Sequence, residues 1–188
     1  MMVVVMKPIK RSKLIRHFSL DVEADGQVAG LYNMINFGIS SLADPKVGFY
    51  GEVYPNVESA GIPEARAVSG VSWERQLGFP SAHLTMKECA KWLLEQTGGE
   101  RPLIWSDNPG FDWGFFNYYM WKFTGSNVCG HSCRRFNDFV AGVEQDMYAT
   151  RRWKRLGTTP HDHNPLNDAR RNAEAFVKFL ENSELICD

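Results

Sequence analysis

The sequence predicts an α/β fold: a mixed β-sheet flanked by α-helices in a single domain. Three observations carry this expectation. Apolar runs rich in β-branched and aromatic residues at 15–22, 31–40 and 46–53 all precede the first long helix, which points to an antiparallel meander. A fourth apolar run, 102–106, lies between two helical stretches, the arrangement that yields parallel βαβ pairing. No linker, internal repeat or charge block divides the 188 residues, a length usual for one domain.

Taken in order, the first strand, 15–22, alternates loosely and ends at the turn-forming pair Asp25-Gly26. Ala43-Asp44-Pro45 punctuates the next two runs as a hairpin connection. Residues 55–80 are irregular, with several Gly and Pro, and predict loops and short helical turns. The following helix is signalled by Thr85 and Glu88, spaced as a capping box, by Met86, Ala90, Leu93 and Leu94 on one face, and by Gly98-Gly99 as its stop. After the strand at 102–106 come an aromatic helix over 112–123 and a stretch, 137–155, helical for most of its length. In the last helix Leu166, Ala169, Ala173, Phe176, Val177 and Leu180 form an apolar stripe opposed by Arg170, Arg171, Glu174, Lys178 and Glu181. The domain is expected over 15–182, with 183–188 as a C-terminal tail. Residues 1–14 read as an N-terminal appendage, because Lys7, Lys10, Arg11 and Lys13 stand there without an acid; a solvated tail is the plain reading and a phosphate-contacting arm the sharper one.

Composition narrows the class. A hydrophobic fraction of 44% with 13% aromatics excludes disorder and low complexity. No apolar run approaches the roughly 20 residues that span a bilayer, so no membrane partner is expected. The N-terminal apolar stretch lacks a basic leader and a small-residue cleavage site, so a cytoplasmic location is expected. With 21 Lys+Arg against 22 Asp+Glu the net charge is −1, which argues against a generally cationic coat protein and leaves a local basic groove open. Four cysteines are too few for a disulfide scaffold. Cys129-Gly130-His131-Ser132-Cys133 has zinc-type ligands but no second close pair, and reads as ordinary small residues in a turn and strand.

Chemistry is concentrated in three places. Asp21-Val22-Glu23 sets two carboxylates on one side of an extended chain, where like charges side by side call for neutralisation by a hard divalent cation. Asp112 opens the aromatic helix, held between residues that belong in the core; Asp107 is its competitor, and helix capping is its plain reading. In His163-Asn164-Pro165-Leu166-Asn167-Asp168 an imidazole on a loop and a carboxylate in the first helical turn can share one cleft, with His161 a rival for the histidine.

The ordered set Asp21, Glu23, Asp112, His163 and Asp168 resembles the DEDDh exonuclease superfamily, the DnaQ-like or RNase T-like branch of ribonuclease H-like folds. The resemblance rests on D-x-E in the first strand, N-x-x-F-D from Asn108 to Asp112, and H-x-x-x-x-D opening the last helix; it spans about 150 of the 188 residues. Within the superfamily the chain looks most like the small single-domain 3′–5′ exoribonucleases of bacteria and phages. It departs at Ala24, where a hydroxyl residue is frequent, and at Pro165, usually a small residue.

The resemblance implies two divalent cations, Mg²⁺ or Mn²⁺, bound by Asp21, Glu23, Asp112 and Asp168, with His163 as general base. It implies release of nucleoside 5′-monophosphates from the 3′ end of single-stranded RNA, favoured over single-stranded DNA. A DNA-trimming or proofreading type with the same residues is the near alternative, and a catalytically idle nucleic-acid-binding domain the distant one. Ala24, Asp25 and Gly26 would contact the terminal nucleotide through their backbone, with Asn108 and Phe111 also near the substrate. Phosphate contacts would come from Arg134-Arg135 or from the run Arg151-Arg152-Trp153-Lys154-Arg155. Relatives of this type are frequently homodimers.

Overall fold

The structure, a computed structural model, describes residues 8–149 and 152–187. A five-stranded sheet in the order Gly48–Glu52, Met34–Ser41, His17–Ala24, Leu103–Ser106, Cys133–Arg135 forms its centre. The strands are β2 (His17–Ala24), β3 (Met34–Ser41), β4 (Gly48–Glu52), β5 (Leu103–Ser106) and β6 (Cys133–Arg135). β3 runs antiparallel to β2 and β4, whereas β5 joins β2, and β6 joins β5, in parallel. The expected meander extended by parallel pairing is therefore the observed one.

Among the described residues six α-helices accompany it: α1 (Pro63–Ser69), α2 (Trp73–Gln76), α3 (Ala82–Gln96), α4 (Asp112–Thr124), α5 (Phe136–Glu144) and α6 (Pro165–Asn182). Two cores result, one on each sheet face. Phe18, Leu20 and Val22 of β2 pack with Phe37 and Ile39 of β3 against Met86 and Leu93 of α3 and Phe115, Phe116 and Tyr119 of α4. Trp105 of β5 packs on the other side with Phe136, Val140, Trp153, Phe176 and Leu180. Because side chains alternate along a strand, Ser19, Asp21 and Glu23 point away from the α3/α4 core and toward α6. The helix comes unusually near: a Cβ on Gly38, the β3 partner of Asp21, would lie 2.2 Å from the backbone nitrogen of Leu166. Glycine at 38 is what lets the first turn of α6 rest directly on the sheet.

Several expectations are corrected. α3 is capped by Ser81, whose side chain accepts from the Leu84 N–H at 3.3 Å, while the Thr85 hydroxyl lies inside the helix and donates to the Glu52 carbonyl. Within the stretch expected to be mostly helical, 137–155, α5 stops at Glu144, where Gln145 takes a left-handed conformation with φ 54°, and among the described residues helical structure returns as a 3₁₀ turn at Trp153–Leu156. Residues 8–14 are not an appendage. Leu14 is 1% exposed in the second core, Arg11 pairs with Glu181 at 2.6 Å, and β1 (Ile9–Lys10) runs parallel to β7 (Ile186–Cys187) in a second small sheet. Of the tail expected at 183–188, Ile186 and Cys187 are folded in by the same pairing, and Lys7, Arg151 and Asp188 lie outside the described residues. Among the described residues no helix is long and apolar enough to cross a membrane.

Candidate active site

The carboxylates arrive from three directions. Asp21 and Glu23 project on one side of β2 near its C-terminal end, just before the register slips between Glu23 and Ala24. α6 brings Asp168. Its N-cap Asn164 accepts from the N–H groups of Leu166 and Asn167, Pro165 fills the first helical position, and Asp168 follows in the first turn. α4 brings Asp112, whose N–H donates to the Asn108 carbonyl at 2.9 Å and whose Oδ2 accepts from the Ser106 hydroxyl.

Carboxylate oxygens of Asp21, Glu23 and Asp168 all lie within 4.8 Å of one another. Opposite oxygens around an octahedral Mg²⁺ or Mn²⁺ are separated by about 4.2 Å, so one hard cation reaches all three after sub-ångström adjustment. The electrostatics say the same. Enclosure, and then the charges of Asp112, Asp168, Glu23 and Asp107, raise the Asp21 carboxyl well above the usual range. Asp112 is pushed up to about 7 by burial, against the stabilising hydrogen bonds of the Ser106 hydroxyl and the backbone at Asn108 and Val22. Glu23 is also raised, chiefly by burial, with His163 pulling the other way. Such a cluster is costly without positive charge, and its donor set is that of a hard divalent metal.

Both histidines are present and play different parts. His163, in a left-handed conformation with φ 59°, places Nδ1 3.6 Å from Glu23 Oε1. His161 Nδ1 lies 2.7 Å from Asp168 Oδ1, and the two rings are 4.9 Å apart. The cleft beside them, about 200 Å³, is lined by Asp21, Asp107, Lys154, His161, Asp168, Arg171 and Asn172. Asp107 is held by the Lys154 ammonium and by the Asn137 amide, and Asn137 accepts from the Trp153 indole at 2.8 Å. Of the described members of the basic run, Lys154 is therefore the one that reaches the cleft. Arg171 and Asn172 escaped the sequence reading. They stand three and four positions after Asp168, so their place on the same helix face was available from spacing.

Ala24, Asp25 and Gly26, which the resemblance sets against the terminal nucleotide, are all buried. Asp25 is fully buried: its carboxylate accepts from Asn33 and pairs with Arg66 at 2.8 Å, its N–H donates to the Asn33 carbonyl, and its carbonyl accepts from the Ile62 N–H. Both backbone polar groups of Asp25 thus have partners inside the protein. Ala24 is part of the first core, and Gly26 sits beneath the Tyr32 ring, which a Cβ at that position would meet at 2.2 Å. Asn108 is exposed and Phe111 half-buried against Phe115, both at the start of α4 beside Asp112. The cysteines are free, and the groups able to hold a metal among the described residues are confined to the cleft, leaving 129–133 as a turn and the start of β6.

No family model matches the sequence. The 3′–5′ DNA exonuclease Cap18 of Escherichia coli is 29% identical, over 84% of this chain and 88% of its own. Among solved structures, the nuclease domain of 3′hExo, a DEDDh family member bound to rAMP, superposes with a TM-score of 0.69 at 12% identity, covering 88% of this chain and 92% of that one. Exonuclease X in complex with 5′ overhanging duplex DNA gives 0.61 at 16% identity, covering 89% and 93%. The structural neighbours fix the fold as the one shared by these exonucleases, and the E. coli relative extends the likeness to sequence over most of the chain.

Proposed function

We propose that this protein is a divalent-metal-dependent exonuclease that removes nucleoside 5′-monophosphates from the 3′ end of a single strand, DNA ahead of RNA. The observation that carries the reading is the convergence of Asp21, Glu23 and Asp168 within 4.8 Å, with Asp112 and His163 beside them. The resemblance to small exoribonucleases puts RNA first, and the similarity to an E. coli DNA exonuclease favours DNA instead.

Asp21, Glu23 and Asp168 would hold one cation and Asp21 with Asp112 a second, Mg²⁺ or Mn²⁺ by the hardness of the donors. When bound, such ions activate water and neutralise charge developing on the phosphate and the departing 3′ oxygen. His163, on a loop braced by the Asn164 cap, takes the proton of the attacking water at a ring nitrogen. His161 steadies Asp168 through the 2.7 Å contact. Lys154 and Arg171 supply positive charge on the cleft wall for phosphate oxygens.

Matched 3′-labelled DNA and RNA oligonucleotides, incubated with Mg²⁺ or Mn²⁺, test the reading. The expected result is stepwise shortening from the 3′ end, faster on DNA, and slowed by about 10²–10⁴-fold in His163→Ala. Faster RNA decay would restore the RNA assignment. Full activity in His163→Ala would move the base to another group, and no cleavage of either strand would leave a binding domain.

A further inference from the structure

Hydrolysis calls on His163 as a base and leaves His161 only a supporting contact to Asp168, yet the two imidazoles stand together on the rim of the cleft. His161, His163 and Asp168 also lie with donor atoms within 4.8 Å of one another, and this group contains neither Asp21 nor Glu23. We propose that His161, His163 and Asp168 form a Zn²⁺-binding site that overlaps the hydrolytic metal centre only at Asp168.

Ligand chemistry separates the two groups. Asp21, Glu23 and Asp168 offer oxygen alone, which suits Mg²⁺ or Mn²⁺. Two neutral imidazoles and one carboxylate are the donors of a three-ligand zinc site, with bonds of about 2.0–2.2 Å and the fourth position left to water. Geometry permits it. The His161 and His163 side chains are 61% and 50% exposed, so both rings can close by rotation, whereas the Asp168 side chain, 4% exposed, is a fixed anchor. The 2.7 Å approach of His161 Nδ1 to Asp168 Oδ1 already brings nitrogen and oxygen to a distance shorter than the edge of a zinc tetrahedron. On binding, that contact opens by a few tenths of an ångström and both atoms turn to the ion. Supports are in place too, since Asp168 accepts from the Asp162 N–H at 3.3 Å and the Asp162 carboxylate accepts from the Asn164 N–H and the Asn167 amide.

The consequence for activity rests on the nuclease reading; the binding does not. Zinc on His163 occupies the lone pair that would accept the proton of water, and zinc on Asp168 competes with the hydrolytic cation. Zn²⁺ is therefore an inhibitor of the Mg²⁺-supported reaction.

Isothermal titration with ZnCl₂ in excess Mg²⁺ decides the site. Wild type is expected to bind one Zn²⁺. His161→Ala, an exposed position where truncation leaves the fold undisturbed, should bind at least about 100-fold more weakly, more than the loss of a supporting contact alone. Asp21→Asn should bind zinc within a few-fold of wild type. Co²⁺ in place of Zn²⁺ should give visible absorption from a four-coordinate site, absent in His161→Ala. Wild-type binding by His161→Ala, or an equal loss in Asp21→Asn, would overturn the proposal and put zinc on the strand carboxylates. In the oligonucleotide assay the half-inhibiting Zn²⁺ concentration, relative to each variant's own rate, should rise about 100-fold in His161→Ala. Should no cleavage be seen at all, titration and Co²⁺ absorption still settle the site, so the two readings fail separately.

Discussion

Asp21 and Asp25 stand four residues apart in one chain segment, and the protein meets their charges in opposite ways. Asp25 is given everything a carboxylate needs: two hydrogen bonds from Asn33 and an ion pair with Arg66. Its partners are themselves satisfied. Asn33 Oδ1 accepts from the N–H groups of Asn56 and Val57, Arg66 donates to Gln76, and the Gln76 amide donates to the carbonyls of Met34 and Val53. This network ties the irregular 55–80 segment to β3 and β4. Asp21 instead faces Asp112, Asp168, Glu23 and Asp107, all of its own sign. One carboxylate has been built into the fold, and the other has been left for something that arrives later. Buried charge is tolerated when it is paired, and an unpaired cluster marks a place where stability has been given up for binding.

The contrast can be broken from either end. Asp21→Asn should lower exonuclease rate by at least about 10³-fold, since the metal contribution is worth several kcal/mol. The same change should stabilise the protein in EDTA, because a repelled carboxylate is removed; a urea midpoint below that of wild type would contradict this account. Arg66→Ala attacks the other region. Removing one member of a buried pair typically costs about 3–5 kcal/mol, visible as a lower urea midpoint with or without Mg²⁺. An unchanged midpoint would show that the Asp25 network is not structural. The smallest effect is in pH. Asp112, ordinarily at 3.8, is raised to about 7 in the folded protein, so folding takes up a proton between those values. Stability of the metal-free protein should therefore fall as pH rises from about 4 to about 7, by a few kcal/mol at most. Asp112→Asn should flatten the slope, as should saturating Mg²⁺. Rising stability through that window would mean the carboxyl is not held up.

What could be read from the sequence divides along the same line. Asp21 and Glu23 were legible because a strand has period two, and Asp168 because a proline and an apolar stripe announce its helix. These signals lie within a few residues of what they describe. The pairing of Asp25 was not legible because its partner Arg66 is 41 residues further on. Residues 8–14 read as an appendage because what covers them, Leu185 and Ile186, comes from the far end of the chain. The break at Gln145 had no glycine or proline to mark it. Arg171 was visible but was counted with the outer polar face, since nothing in the helix pattern distinguishes a cleft from solvent.

The close approach at Gly38 gives the metal centre its scale. Asp21 and Glu23 belong to the sheet and Asp168 to the helix laid over it, so the gap their oxygens span is the thickness of the seam between two layers. At that seam the residue opposite Asp21 contributes no side chain, and the Leu166 nitrogen occupies the space a Cβ would need. Position 38 works as a gauge: the absent methyl sets how far apart the two halves of the site stand. Part of what defines the catalytic dimension is thus held by a residue with no chemistry of its own, on a strand that supplies no ligand.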